Sequence, residues 1–432
     1  MFLTEKAASL SGTVFASLKH RDFRIFWIGQ CVSLMGTWMQ RTALVWLVYT
    51  MTDSPFLVGL VGVAQFLPML FFTLFAGAVV DRFPKRKILI VTQSLLMLQA
   101  LALTLLAFSD SARYWQLLLL CAFLGITTTI DMPARLSFFV DLVGKEDVMN
   151  AVSLNSSIVN LARIIGPAAA GIVMVEFGAV ACFFVNTLSF LAVIYSLTRL
   201  NIRENVAVLK KRDMLEEVKD GLAYIKNDET LYINAVFLAV VSTFALNSEV
   251  IIPVFAKTVL GMGAGAYTKL LSAAGAGSLA GAVTMASISK NGVRKWILAV
   301  GAAATLSVQV LMGVAWNYEL ALLFVAMIGF FNLVFLNAGN SIFQVCAPDK
   351  YRGRVMSVYS FLTQGSLPAG NFFAGTVMQA FGGWAGYPVC GLTAFLCLAL
   401  FMKKKKNSDQ RLVQGRQTIR GIKIPPRCQE YI

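Results

Sequence analysis

Between two long apolar stretches of the sequence lies a short charged break, Gly77-Ala-Val-Val-Asp81-Arg82-Phe-Pro-Lys85-Arg86-Lys87. It places a cluster of basic side chains beside one carboxylate, that of Asp81. Basic residues between apolar segments that are long enough to cross a membrane hold such a loop on the cytoplasmic side. The break therefore predicts a membrane protein in which this loop acts as a latch or as an orientation signal, far more than as a catalytic site.

The composition of the chain excludes an ordinary soluble protein, because 57% of the residues are hydrophobic and only 14% are charged. A helix needs roughly 20 apolar residues to span the hydrocarbon core of a membrane. We predict an all-α membrane protein in which twelve segments form transmembrane helices. The predicted spans are Phe23–Thr50, Phe56–Val80, Ile88–Phe108, Tyr114–Phe138, Val148–Val175, Val180–Leu200, Leu231–Val259, Ala264–Ile288, Trp296–Trp316, Glu319–Val345, Val355–Phe381 and Trp384–Met402.

The net charge of +15 reflects membrane topology and not nucleic-acid binding. Among the 37 lysines and arginines, only Arg113, Lys257 and Lys269 fall at the predicted outer loops or the span ends beside them, and Arg41 and Arg163 lie deeper within spans. All the others lie on the opposite side, which the positive-inside rule identifies as the cytoplasmic side. We expect a multi-pass protein of the inner (cytoplasmic) membrane with both termini in the cytoplasm, membrane lipids as neighbours and no nucleic-acid partner.

The two halves of the sequence repeat one another at an offset of about 204–209 residues, which is typical of transporters built from repeats. Lys85-Arg86-Lys87-Ile88-Leu89 recurs as Arg294-Lys295-Trp296-Ile297-Leu298, and Gly166 falls on Gly370. The predicted segments are a cytoplasmic N-terminal segment at 1–22, an N-terminal six-helix bundle at 23–200, a cytoplasmic linker with an amphipathic helix at 201–229, a C-terminal six-helix bundle at 230–402 and a basic cytoplasmic tail at 403–432.

The charged break resembles G-x-x-x-D-[RK]-x-x-[RK]-[RK], the loop signature between helices 2 and 3 of the major facilitator superfamily. Gly166-Pro167 and Gly171 in the fifth predicted span resemble the Gly-Pro signature of antiporters in that superfamily. Asp131-Met-Pro133-Ala-Arg135 and Trp38-Met-Gln40 resemble its efflux branch, which includes enterobactin-exporter-like and macrolide-efflux-like proteins. The resemblance implies the major facilitator fold, with twelve helices in two pseudo-symmetric bundles of six, and secondary transport.

The resemblance also implies a cytoplasmic latch that stabilises a state closed on the cytoplasmic side. In such a latch, Asp81 lies near the start of the eleventh helix, where free backbone N–H groups favour an anion. The basic residues of the loop engage Asp131 or the lipid surface. The latch set is Gly77, Asp81, Arg82, Lys85, Arg86, Lys87 and Arg135.

Charged residues inside membrane spans are costly and are usually functional or paired. Arg163 in the fifth span either binds an anionic group of the substrate or pairs with Asp131 of the fourth. Arg41 and Glu249 are 208 residues apart, so the repeat places them at equivalent depths in the first and seventh spans. We predict that they pair across the two bundles and form an outer gate, which protonation of Glu249 opens. The alternative is that each charge is satisfied within its own half, Arg41 by Gln65 or a carbonyl group and Glu249 by Asn247.

Several uncharged polar residues of the spans are candidates for the substrate cavity. Such side chains either line a polar path or simply join helices by hydrogen bonds, and the latter is the more common role. The candidates are Gln65, Asn337 and Gln364.

These features predict a proton-coupled exporter of small amphipathic or lipophilic molecules, of the drug or siderophore class, which works as a monomer by alternating access. The chain has no G-x-x-x-x-G-K-[ST] motif for ATP, and its one histidine, His20, lies outside the spans, so the proton carrier must be a carboxylate. A lipid or lysolipid flippase, or an uptake permease, on the same scaffold is the alternative, and a non-transporting receptor is less well supported. An enzyme would need a Ser-His pair or clustered metal ligands, and we expect no cofactor and no metal.

Overall fold

The computed structural model describes residues 16–201, 214–288, 295–348 and 351–415. Within these ranges the regular structure is helical and contains no β-strand. Long apolar segments favour this architecture, because a helix satisfies its backbone hydrogen bonds internally where lipid offers no partner. The prediction of an all-α membrane protein is confirmed for the described residues.

The helices differ widely in length, and four of them are the short segments of two broken spans. Their bounds are α1 Arg21–Thr52, α2 Pro55–Arg82, α3 Lys85–Phe108, α4 Tyr114–Arg199, α5 Met214–Asn227, α6 Glu229–Ala245, α7 Ser248–Thr258, α8 Ala264–Ile288, α9 Lys295–Leu311, α10 Tyr318–Cys346, α11 Arg352–Gln364, α12 Leu367–Phe381 and α13 Gly386–Gly415.

The 86-residue helix α4 is not one continuous rod. Gly144 has φ 75° and Gly178 has φ 78°, conformations that a residue with a Cβ rarely adopts, and both interrupt the helical backbone. These two breaks fall between the predicted spans Tyr114–Phe138, Val148–Val175 and Val180–Leu200. The helix therefore contains three separate segments where the sequence predicts three.

Eight helical stretches of the described chain are long and apolar enough to cross a membrane, and α4 counts as one of them. The predicted spans Phe23–Thr50 and Val355–Phe381 are not among the eight. The first of these carries buried glutamines and two arginines, and the second is divided into α11 and α12 at Gly365 and Ser366. The multi-pass architecture is thus established, while the total of twelve spans stays a prediction.

The described chain forms two compact units. Unit 1 lies within Met1–Asp53, Ala64–Lys211 and Gly263–Ser272, and unit 2 lies within Ser54–Val63, Arg212–Met262 and Ala273–Ile432. The sequence places Ser54–Val63 in the N-terminal bundle, but this segment packs in unit 2, where the ring centroids of Phe56 and Phe372 are 5.7 Å apart. Similarly, Gly263–Ser272 packs in unit 1, where the rings of Tyr267 and Trp46 stack at 5.5 Å.

Each unit has its own hydrophobic core. In unit 1, Phe23 and Phe26 of α1 meet Phe138 and Phe139 of α4 edge to face, with ring centroids 5.7–6.3 Å apart. In unit 2, the core is formed by residues that include Leu231, Leu238, Phe335 and Phe343, all fully buried. Aromatic rings packed in this edge-to-face manner stabilise the core beyond the area that they bury.

Glycines bring α8 and α10 into close contact in unit 2. A Cβ on Gly277 would overlap the carbonyl oxygen of Ala326, and one on Gly281 would lie 2.6 Å from that of Phe330. Gly329 makes the reciprocal approach to the backbone of Ala274. These glycines are what makes the close contact possible, since only a residue without a Cβ allows backbones to approach this closely.

The linker helix α5 packs on α11 in unit 2. Asp220 forms an ion pair with Arg354 at 2.7 Å, and the ring of Tyr224 stacks on Tyr351 at 4.9 Å. Ile225 is buried in the unit 2 core. The helix predicted within the linker is present, and the structure shows which surface its apolar side covers.

Candidate functional site

Two arginines of the membrane-spanning helices share one indole ring in unit 1. The guanidinium carbon of Arg41 lies 5.2 Å from the ring centroid of Trp38, and that of Arg163 lies 5.3 Å from the same ring. Arg41 also lies 5.1 Å from the ring of Phe66. A cation held over an aromatic face keeps its full charge. We call the group Trp38, Arg41, Phe66 and Arg163 the arginine–tryptophan cluster.

Local sequence explains how this cluster assembles. Trp38 and Arg41 are three residues apart on α1 and so project from neighbouring positions of one helix face. Arg163 reaches the same ring because Gly166, one turn later on α4, packs against the Cβ of Trp38, where any side chain at position 166 would overlap it. The glycine of the Gly-Pro motif thus sets the distance between the two helices, and the neighbouring Pro167 is also buried.

Asp131 is a buried carboxylate in a polar cluster of its own. It is 4% exposed, and it accepts hydrogen bonds from Thr92 Oγ1 at 2.7 Å and Gln93 Nε2 at 2.8 Å. It also forms an ion pair with Arg135, one turn later on α4. Asp131 is therefore paired with Arg135 of its own helix, and the role of Arg163, which the sequence left open between substrate binding and a pair with Asp131, stays a prediction.

The signature loop engages other groups than the sequence predicted. Lys85 donates to Asp141 at 2.8 Å instead of to Asp131, and Arg86 donates to the carbonyl oxygen of Leu197 at 2.7 Å. Both are contacts within unit 1, between α3 and the following segments of α4. Lys85 is the first residue of α3, so only two residues separate α2 from α3. At this position the side chain of Lys85 reaches Asp141 instead of Asp131.

For the remaining latch residues, the structure gives a position in a helix or an exposure. Gly77 lies within α2, and Arg82 and Lys87 are exposed on the protein. The side chain of Asp81 lies outside the described part of the chain, so its placement at the eleventh helix stays a prediction.

Glu249 lies in the first turn of α7, directly after a break in the seventh predicted span. The break separates α6, which ends at Ala245, from α7, which begins at Ser248. The amide of Asn247 donates to the carbonyl oxygen of Thr243 at 2.8 Å. Glu249 belongs to unit 2 and Arg41 to unit 1, and the pair predicted between them stays a proposal.

The predicted cavity residues occupy different environments. The carbonyl oxygen of Gln65 packs against Gly125, where a Cβ would overlap it, and Asn337 is half-buried on α10. Gln364 is exposed at the end of α11, and Gly171 packs against Thr268. In the described residues, no group of three or more His, Cys, Asp or Glu is placed to hold a metal ion.

A buried amide network in unit 1 escaped the sequence analysis. Gln40 Nε2 donates to Gln99 Oε1 at 3.0 Å, and Asn186 Nδ2 donates to Gln40 Oε1 at 2.8 Å. Gln99 Nε2 reaches the carbonyl oxygen of Leu120 at 3.4 Å, and Ser189 donates to Asn186 Oδ1 at 3.0 Å. The only signal in the sequence is the presence of amides in apolar spans, which does not show that they meet.

Solved structures show which fold this helical chain adopts. The chain is similar to the nucleoside transporter NupG, with a TM-score of 0.71 and 12% identity over 88% of this chain and 98% of that one. It is also similar to a bacterial homologue of the human lysosomal transporter Spinster, with a TM-score of 0.69 and 13% identity over 88% and 95% of the two chains. The fold is that of the major facilitator transporters.

The family follows from the sequence match. Residues 12–414 match the family described as transmembrane secretion effector, and the chain belongs to that family of major facilitator transporters. It is a transporter and not an enzyme, and the resemblance stated from the motifs is confirmed.

Curated relatives include several efflux pumps. The chain is 25% identical to the multidrug efflux pump Tap of Mycolicibacterium fortuitum over 87% of this chain and 94% of that protein. It is 24% identical to macrolide efflux protein A of Streptococcus pyogenes over 49% and 52% of the two chains. It is 28% identical to the staphyloferrin A transporter of Staphylococcus aureus over 41% of this chain, and this match spans only 47% of that relative.

Proposed function

We propose that this chain is a proton-driven exporter of small amphipathic molecules that carry an anionic group, and that it works by alternating access as a monomer in the cell membrane. Relatives named for efflux of drugs and macrolides favour export over uptake. The proposed proton-coupling residues are the carboxylates within the spans, Glu249 and Asp131.

The arginine–tryptophan cluster is the observation that carries this proposal. Arg41 and Arg163 present guanidinium groups beside one aromatic ring, and guanidinium groups match carboxylate and phosphate oxygens in geometry. Trp38 and Phe66 supply apolar surface for the rest of the substrate. An anionic head and an apolar body together describe an amphipathic substrate.

Transport by the purified protein in liposomes tests the proposal. The panel contains cationic dyes, macrolides, catecholate siderophores and lysolipids, each measured with and without an imposed pH gradient. We expect accumulation against the concentration gradient only with the pH gradient, and preference for the anionic members. Preference for cationic or neutral substrates would contradict the assigned substrate class.

A variant in the cluster and a matched control sharpen the test. Arg163→Gln removes one charged donor, which is worth about 1.5–3 kcal/mol, so the KM for anionic substrates should rise roughly 10- to 100-fold. Arg199→Gln is the control, because Arg199 also lies over an aromatic ring, that of Tyr195, but is exposed at the end of α4. If both variants have the same KM as the parent, the cluster does not bind the substrate.

Transport of lysolipids distinguishes an exporter of soluble amphipathic molecules from a lysolipid flippase. Phosphate and an acyl chain also provide an anionic head and an apolar body, so a lysolipid flippase would use the same cluster. Transport of lysolipids without the soluble members of the panel would favour the flippase.

A further inference from the structure

The break between α6 and α7 exposes backbone groups that buried amides then engage. Leu246 and Asn247 have ψ angles of 19° and 15°, which interrupt the helix after Ala245. Asn332 Nδ2 of α10 donates to the carbonyl oxygen of Ala245 at 3.1 Å, and Gln309 Nε2 of α9 approaches the same oxygen at 3.4 Å. Three helices of unit 2 thus meet at one interrupted turn.

This site is the repeat counterpart of the amide network in unit 1. Asn247 follows Gln40 by 207 residues, and Gln309 follows Gln99 by 210 residues, close to the offset of the two halves. In unit 1 the side-chain oxygens of both Gln40 and Gln99 accept hydrogen bonds. The unit 1 network is therefore closed, with its buried acceptors satisfied by protein donors.

By the same criterion, the unit 2 network is open, because several of its buried oxygen atoms have no donor among the described residues. Across the described residues, no protein donor reaches Asn247 Oδ1, Gln309 Oε1 or Asn332 Oδ1, and the hydroxyl of Ser242 lacks a partner as well. These side chains are between 0% and 9% exposed. Ser242 and Asn247 flank Ala245, whose carbonyl oxygen both Gln309 and Asn332 engage, so these buried oxygens lie in one region of unit 2. Buried polar atoms in folded proteins nearly always have a hydrogen-bond partner, so several without one in a single region call for an explanation.

Each of these atoms is an uncharged oxygen that accepts hydrogen bonds or ligates a cation. The C-terminal end of α6 adds the negative end of a helix dipole. Interrupted membrane helices in transporters place such carbonyl-bearing ends around small cations. Neutral oxygen ligands suit a hard monovalent cation better than a divalent one, which takes carboxylates.

We propose that the open amide cluster, Ser242, Asn247, Gln309 and Asn332, is a binding site for a small monovalent cation, Na⁺ or hydronium. If hydronium is the ligand, its role as the coupling ion rests on the proposed proton-driven export, whereas cation binding itself does not. Three titratable groups lie beside it: Glu249 two residues after Asn247, the thiol of Cys390 next to Asn247 and the hydroxyl of Tyr387 next to Ser248.

Thermal unfolding of the purified protein measures cation binding without transport. In NaCl, compared with N-methylglucamine chloride, the melting temperature of the parent should rise by about 2–4 °C at saturation. Gln309→Met removes the amide and keeps its volume, and it should lower the apparent Na⁺ affinity at least tenfold. Thr305→Val is the control, because Thr305 is fully buried one turn earlier on α9 and donates only to Gly301.

A pH series distinguishes Na⁺ from hydronium, and a second variant keeps the test valid if the first one does not fold. If hydronium is the ligand, the parent gains stability between pH 8 and pH 6 without a Na⁺ response, Gln309→Met loses this gain and Glu249→Gln keeps it. If Gln309→Met does not fold, Asn332→Asp adds a charged ligand and should tighten apparent Na⁺ affinity.

The inference is overturned if Gln309→Met and Asn332→Asp respond to Na⁺ and to pH as the parent does. The cluster then holds only water. If the parent protein does not export any substrate in liposomes but its melting temperature still rises in Na⁺, the result counts against the proposed function and not against this site.

Discussion

At the scale of single residues, the ring of Trp38 contacts two arginines, Arg41 and Arg163, that are far apart in the sequence. The spacing of Trp38 and Arg41 follows from helix geometry, but the approach of Arg163 to the same ring depends on Gly166 and on how α4 packs against α1. Asp131 shows the same difference. Its pair with Arg135 is a contact within one turn, whereas its bonds to Thr92 and Gln93 need α3 beside it.

The pair of Asp131 and Arg135 should be coupled in stability. Asp131→Asn leaves a buried guanidinium group without its counter-charge, so it should cost roughly 3 kcal/mol, and Arg135→Gln should cost a similar amount. The double variant should recover a large part of either loss, because both charges are then gone. Melting temperatures of the four proteins in detergent measure the coupling. Additive losses would show that the two side chains act independently.

Glu249 should couple export to the pH gradient. Glu249→Gln cannot release a proton, so export in liposomes should lose its dependence on the gradient while substrate binding remains. Glu319→Gln is a matched control, since Glu319 is an exposed carboxylate in the first turn of α10. Full gradient-driven export by Glu249→Gln would remove Glu249 from the mechanism.

At the scale of helices, glycines decide where segments end and how closely they pack. Gly144 and Gly178 end helical segments within α4 because their φ angles are positive. Gly277 and Gly281 instead permit contact between α8 and α10. The sequence marks both kinds with the same residue, and only the backbone conformation separates them.

Gly277→Ala should destabilise the protein, although alanine is the better helix former. Its Cβ would overlap the carbonyl oxygen of Ala326, which cannot move without shifting α10, so a loss of about 1–3 kcal/mol is expected. Gly265→Ala on the same helix should be neutral or slightly stabilising, because its Cβ would lie 3.5 Å from Val175, an ordinary contact. Thermal unfolding of both variants measures the difference. Equal melting temperatures would show that α8 and α10 adjust freely.

At the scale of the whole molecule, the distribution of basic residues predicts the topology. Both termini and the linker at 201–229 should face the cytoplasm. In a cysteine-free background, Glu319→Cys should react with a membrane-impermeant maleimide from outside, and Lys226→Cys should react only after the membrane is opened. The reverse pattern would invert the assigned orientation.

The sequence by itself determined the class of the protein, its helical content and the family. These follow from apolar segments of membrane length and from short motifs, which need no knowledge of distant contacts. The charged residues within the spans were also visible, because a charge in an apolar segment stands out at any position.

The tertiary structure alone decided which of these polar groups meet. It joined Gln40, Gln99 and Asn186 into a closed network, and within the described part of the chain it left the side-chain oxygens of Gln309 and Asn332 without a donor. It also placed Lys85 on Asp141 instead of Asp131. The physical reason is that a hydrogen bond depends on positions within a few tenths of an ångström. Packing between helices sets those positions, and residue types and spacing along one helix do not encode them.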